Sequence, residues 1–335
     1  MTDTNLFAQQ EHNRRRSTLL IVGFVLFFAW IGFGGDLAWY LGTRDLPPES
    51  YHHVIPFTGM ITTVIAGGMA WYSWRHGADR VLAATGAWEL LEPVTEDHKR
   101  LRNVVDEMAI ASGLPSPRVW VVPDSDPNAF ATGRDPATAH LAVTEGLLQH
   151  LDRDELQGVV AHEMAHIRNL DVRLMTLLAA TVGTIALKSD TLQRMLRYGF
   201  GRGGRRGGGR KGGNPLALVV LVAWLISLIF APLIARLLAM SVSRKREFLA
   251  DATGAQFTRN PMALAEALRK IDGASGATQA IARGAAHMCI VDPGERRMSA
   301  KGGSGMSVFA SHPPIGERIA RLQAMGYQPV EGGRG

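Results

Sequence analysis

Residues 152–167 read Asp-Arg-Asp-Glu-Leu-Gln-Gly-Val-Val-Ala-His-Glu-Met-Ala-His-Ile. Asp152 followed three residues later by Glu155 is a capping-box pattern, so a helix is expected to start here. On that helix His162 and His166 are four apart and share a face, which lets both imidazoles reach one ion. Glu163 is offset from them, suited to reach a water on the metal instead of the metal itself. Zinc held by three protein ligands keeps a fourth position open and brings the pKa of its water to about 7. Val159, Val160 and Ile167 make the helix half apolar, so the histidines belong to a folded core and not to a charged surface.

A third ligand is expected in Ser243-Arg244-Lys245-Arg246-Glu247-Phe248-Leu249-Ala250-Asp251. Glu247 and Asp251 share a helical face. Glu247 can bind zinc while Asp251 accepts from the free nitrogen of a ligand histidine and fixes its tautomer. Cys289 is the only cysteine, so a thiolate cluster and an intramolecular disulfide are both excluded. One zinc ion per chain is expected.

Upstream the pattern is globular. Thr95 is a helix N-cap before Glu96 and Asp97, and Gly113 and Pro115 end that helix beyond Ser112. Val119–Val122 and Ala139–Thr144 are β-rich, Asn128–Thr132 is a third short strand, and another helix begins near Glu145.

Four apolar segments surround these elements. Ser17–Gly35 follows Arg14, Arg15 and Arg16, and Val54–Trp74 ends in Trp71, Tyr72 and Trp74; neither contains Asp, Glu, Lys or Arg. Each is long enough to cross a bilayer, which takes roughly 20 residues of helix. Basic flanks on both place them with the positive ends in the cytoplasm. Leu174–Leu187 is short for a span, whereas Pro215–Ala235 is long enough. Because the metal residues bracket this pair, both segments cross or neither does.

The chain carries 36 basic and 30 acidic residues, but residues 188–214 hold eight Lys or Arg against Asp190 alone. Removing those eight and one leaves 28 basic against 29 acidic, so no nucleic-acid partner is expected. The glycine-dense stretch 201–213 reads as a solvated linker, with contact to anionic lipid headgroups or an RNA-binding arginine-glycine segment as the alternatives.

The expected organisation is an α+β, mostly helical protein. Residues 1–77 form a membrane anchor of two transmembrane helices. Residues 78–173 form the first part of the zinc-binding domain with the H-E-x-x-H helix, 174–239 an apolar hairpin with its linker, and 240–335 the second part with the third ligand.

The H-E-x-x-H pattern, the paired apolar insertion and S-R-K-R-E-F-L-A-D, with Ser311-His312-Pro313-Pro314 and Arg318 further on, together resemble the HtpX-type heat-shock proteases. That family comprises membrane-bound zinc metallopeptidases related to the CAAX prenyl proteases. The resemblance covers most of the chain. It implies a zincin-like, Glu-zincin domain with His162, His166 and Glu247 as ligands, Glu163 as base and Asp251 behind a ligand. It further implies a bacterial inner membrane, an active site facing the cytoplasm, and polypeptide substrates that are misfolded or membrane proteins under stress. Asn128, Ala129, Phe130 and Ala131 match the family's substrate-pairing strand. His312 matches a position that could donate to the oxyanion. Two other functions stand beside this one. An intramembrane site-two-type protease would place its third ligand inside an apolar run, and a non-catalytic zinc- or lipid-binding scaffold would lack the base.

Overall fold

The computed structural model describes residues 6–43, 55–177, 216, 218–227, 244–274, 288–291 and 312–326. Residues 201–213 and most of 174–239 lie outside them, as do the expectations made for those stretches. The chain forms two compact units, one of residues 1–15, 76–180 and 238–335, the other of residues 16–75 and 181–237.

The first unit is built of helices around a small sheet. Strands β1 (Trp88–Glu89), β2 (Arg118–Val122), β3 (Ala129–Thr132) and β4 (His140–Thr144) lie in the order β1-β2-β4-β3. The β2–β4 pair is parallel and the other two pairs are antiparallel. Its helices are α3 (Glu96–Ser112), α4 (Glu145–His150), α5 (Arg153–Arg168), α6 (Arg244–Thr258), α7 (Pro261–Gly273) and α8 (Ile315–Gly326). The caps are where the sequence places them. Thr95 accepts from His98 N–H at the start of α3, and Gly113 ends it at φ 69°, a left-handed conformation natural to glycine. Asp152 and Glu155 close a full capping box on α5.

Helix α5 is the centre of this unit, packed against α3, α6, α7 and β3. Leu156, Val159, Val160 and Met164 of α5 meet Leu101 and Val105 of α3, Leu141 of β4 and Leu264 and Leu268 of α7 in one core. The sheet's other face is also covered: Phe130, Ala142 and Val122 pack with Val81, Leu82, Met175 and Cys289. Coverage on both faces explains why every residue of β3 and β4 is buried, and why these strands read as apolar runs without alternation.

Helix α5 stops at Arg168, and Leu170 adopts φ 58° before helical structure resumes over 171–177. The apolar segment that begins at Leu174 is therefore not a straight continuation of α5. The turn brings Asp171 back towards the histidine face.

The second unit takes most of α1 (Leu6–Thr43) and the first part of α2 (Phe57–Ala84). Among the described helices one stretch, Glu11–Thr43, is long and apolar enough to cross a membrane. The second expected span does form a helix, but threonines and glycines dilute its hydropathy. Its apolar side chains are turned outward, Val64 at 75% and Trp71 at 63% exposure. Asp36 accepts from Gly59 N–H at 2.6 Å and so satisfies a free donor in the first turn of α2. Trp224 Nε1 in the short apolar helix Leu218–Ser227 donates to the carbonyl of Ile31 at 2.7 Å.

Candidate active site and metal centre

One turn of helix α5 separates His162 from His166, and both rings are buried. Their planes are perpendicular and their Nε2 atoms approach to 3.1 Å. Glu247 enters from α6, with Oε1 3.6 Å from Nε2 of His166 and Oε2 3.9 Å from Nε2 of His162. Three ligand atoms thus lie within 4.8 Å of one another. Nitrogens bound tetrahedrally to one zinc at 2.0–2.1 Å sit about 3.3 Å apart, so this donor set fits such an ion. The Glu247 carboxylate supports the same fit. It is fully buried, yet neither oxygen has a well-formed hydrogen bond among the described residues, a state that costs free energy unless a cation completes it.

Each histidine has its own carboxylate behind it. Nδ1 of His162 is 2.9 Å from Oδ1 of Asp251. Nδ1 of His166 is 3.1 Å from Oδ2 of Asp171. An ionised carboxylate only accepts, so each ring donates from Nδ1 and keeps the Nε2 lone pair for the ion. The carboxylates are themselves held. Arg318 donates to Asp251 from Nε at 2.9 Å and Nη2 at 2.7 Å, and Arg246 lies 3.6 Å from Asp171.

Electrostatics separates the acids. Burial pushes the Glu163 carboxyl up, more strongly than the neighbouring His162 and His166 pull it down. Burial would also raise Glu247, but His312, His166 and Arg318 outweigh it and hold that group well below the usual range. Against the same burial penalty, Arg318 and His162 hold Asp251 down to about 2. For His166, burial disfavours the charge, while Asp171 and Glu247 more than offset it and raise its pKa to about 9. Ion uptake by His166 would therefore displace a proton.

Helix α6 can sit this close because Gly254 lies on the α5 backbone. A Cβ there would stand 3.0 Å from His162 N. Strand β3 forms the sheet edge beside α5. Since Thr144 N–H donates to Asn128 C=O, the antiparallel alternation turns the backbone groups of Ala129 and Ala131 away from β4. The Ala129 carbonyl accepts from Ile290 N–H at 3.0 Å, and the Ala131 backbone reaches Glu163. Asn128 is fully buried and donates to the Val291 carbonyl; Phe130 packs into the sheet's second core. His312 is buried with Nδ1 3.0 Å from Oε2 of Glu247, a contact with the distance but not the angle of a hydrogen bond.

Sequence reasoning brought His162, Glu163, His166, Glu247 and Asp251 into consideration, and the structure gathers them. It did not single out Asp171, Arg246, Asn13 or the grip of Arg318 on Asp251. An acid five residues beyond His166 was the available signal for Asp171.

The model of peptidase family M48 matches residues 95–326, which span His162, Glu163, His166, Asp171, Glu247, Asp251, His312 and Arg318. The chain belongs to peptidase family M48. Curated M48-like relatives cover it almost end to end. A protease HtpX homologue of Thermoanaerobacter pseudethanolicus is 38% identical over 97% of this chain and 99% of its own length. Homologues under the same name are 37% identical in Streptococcus gordonii and 38% in Listeria monocytogenes, each over 96% of this chain and all of the relative. Ste24p of S. mikatae overlays on 95% of this chain and 66% of its own with a TM-score of 0.41 and 14% identity, a likeness too slight to argue from. Membership in M48 makes the chain a metalloprotease.

Proposed function

We propose that this M48 chain is a membrane-anchored zinc endopeptidase of the Glu-zincin type that hydrolyses unfolded or unassembled polypeptides. The convergence of His162, His166 and Glu247, with Glu163 buried beside them, carries that reading. Bound zinc would act as a Lewis acid on the attacking water and the scissile carbonyl. The other steps fall to the chain. Glu163, its proton affinity raised by burial, takes a proton as the water oxygen bonds to the carbonyl carbon. The proton then passes to the amide nitrogen, the C–N bond breaks and the amine leaves. His312, beside Glu247, would donate to the oxyanion that forms between those steps.

Substrate would lie along the edge of β3. The Ala129 N–H and carbonyl are already held by Asn128 Oδ1 and Ile290 N–H, so an extended chain would add as a strand at Ala131 and take the Ala129 groups by displacing the segment at Ile290; backbone pairing of this kind is tolerant of sequence. Asn128 and Phe130 would shape that edge from behind, since both side chains are buried. A substrate recognised as a strand must be unfolded locally, which favours damaged or unassembled proteins, membrane proteins included. Helix α1 and the apolar part of helix α2 that precedes Arg75 and Arg80 would both span a bacterial inner membrane, with the site on the cytoplasmic side.

Detergent-purified protein given one reporter in folded and in unfolded form tests this. Cleavage of the unfolded form alone, abolished by a chelator and restored by zinc, is expected. Equal cleavage of both forms, or cleavage indifferent to the chelator, would contradict it.

A further inference from the structure

Asn13 lies near the start of α1, beside the exposed Arg14, Arg15 and Arg16, and yet has no exposed surface. Its two amide hydrogens are both committed. Nδ2 donates to Oδ1 of Asp171 at 2.7 Å and to the carbonyl of Asn169 at 2.9 Å. Asp171 is itself fully buried and uses its other oxygen, Oδ2, to accept from Nδ1 of His166 at 3.1 Å. The carboxylate is therefore a bridge with a different partner on each oxygen. Arg246, the neighbour of Glu247 on α6, stands 3.6 Å from Oδ1, beyond hydrogen-bonding distance.

The local backbone explains why such a bridge needs a pin. Asp171 follows Leu170, whose φ of 58° is a left-handed conformation that a branched side chain adopts only when its surroundings hold it there. Asn13 ties down both sides of that turn, at the Asn169 carbonyl and at the Asp171 carboxylate. With the turn fixed, Oδ2 faces the imidazole of His166 and fixes the ring's tautomer and aim.

We propose that Asn13, on the helix that continues as the apolar N-terminal span, is a positioning residue of the metal centre, acting through Asp171 on the ligand His166. This rests on the reading of His162, His166 and Glu247 as the zinc site. Asn13 touches neither substrate nor ion. The N-terminal helix thereby supplies part of the site as well as an anchor, and a chain cut before Arg14 would hold zinc less tightly even with every ligand present.

Zinc affinity measured by chelator competition on the full-length protein in detergent tests the relay in four forms: wild type, Asn13→Ala, Asp171→Ala and the double variant. Loss of an outer partner of a ligand histidine weakens metal binding by about 10- to 100-fold, so Asp171→Ala should fall in that range and Asn13→Ala near its lower end. In the Asp171→Ala background, Asn13→Ala should cost nothing further, because the path to His166 is already gone. Cobalt-substituted Asn13→Ala should also show displaced d–d bands, which a loss of stability alone would not produce. If Asn13→Ala fails to fold, Asn13→Leu keeps the side-chain shape, removes the donor without adding a charge beside Asp171 and gives the same comparison. Unchanged affinity in the single variant, or losses that add in the double variant, would overturn the relay. A wild type that takes up no zinc would instead overturn the site reading beneath it, and the two failures are distinct.

Discussion

Glu163, Glu247 and Asp251 share one buried cluster, yet their proton affinities diverge because their neighbours differ. Burial raises Glu163 by more than the neighbouring His162 and His166 lower it. Asp251 lies in the fork of Arg318 and is held down to about 2. The sign of its contribution follows. An unfolded aspartate titrates near 3.9, so the Asp251 share of stability is fully present above about pH 4 and is lost as pH falls towards 2. Asp251→Asn takes from the buried Arg318 the carboxylate it grips in a fork and leaves it Glu247 at 3.7 Å, which should destabilise the metal-free protein by about 3 kcal/mol at pH 7. Denaturant melts at several pH values should also show a shallower fall in stability between pH 4 and 2 than the wild type gives. An identical pH slope would show that the fork does not depress the group. Glu247→Gln makes a different prediction. Its amide oxygen is a poorer ligand than a carboxylate, so zinc per chain measured after dialysis should drop well below one, whereas Glu163→Gln should retain its metal.

Helix α6 carries Glu247 and Asp251 to the histidines only because Gly254 permits backbone contact with α5. Gly254→Ala places a methyl group against main-chain atoms that cannot rotate away. The shift of α6 should cost about 1–3 kcal/mol by overpacking, and calorimetry of the metal-free protein should show the melting temperature fall together with zinc affinity. An unaltered affinity would mean that Glu247 is not held by this contact. The elements that could be read in the sequence are those with a local chemical signature. Thr95 and Gly113 bound α3, and the Asp152–Glu155 box opens α5, because capping is decided within one turn. Strand β1 has two residues, too few for any periodicity. The turn at Leu170 was not legible either, since nothing local asks a leucine to adopt positive φ; tertiary contacts impose it. Asp171 was missed for that reason. Arg318 was read only as part of a family pattern and Asn13 was missed, because their partners lie far away in sequence, Asp251 for one and Asp171 for the other.

Across the whole molecule, the proposed ligands come from chain segments far apart in sequence, and the first and last of the described helices both reach the carboxylates beside the histidines. An ion bound by the native fold and not by the unfolded chain adds about 2.7 kcal/mol when its concentration is 100 times its dissociation constant. Removing it with a chelator should therefore lower the thermal midpoint of the first unit and leave its helical content intact, because the apolar core around α5 does not depend on the metal. Loss of most helix signal at room temperature would contradict that. The claim on which the rest depends is that Glu163 performs the chemistry at a metal it does not hold. Cleavage of an unfolded reporter by wild type and by Glu163→Gln, with zinc per chain quantified in both, tests it most directly. Equal zinc in the two proteins and cleavage by the wild type alone are expected; cleavage by Glu163→Gln at the wild-type rate, or loss of zinc from it, would show that Glu163 is not the base.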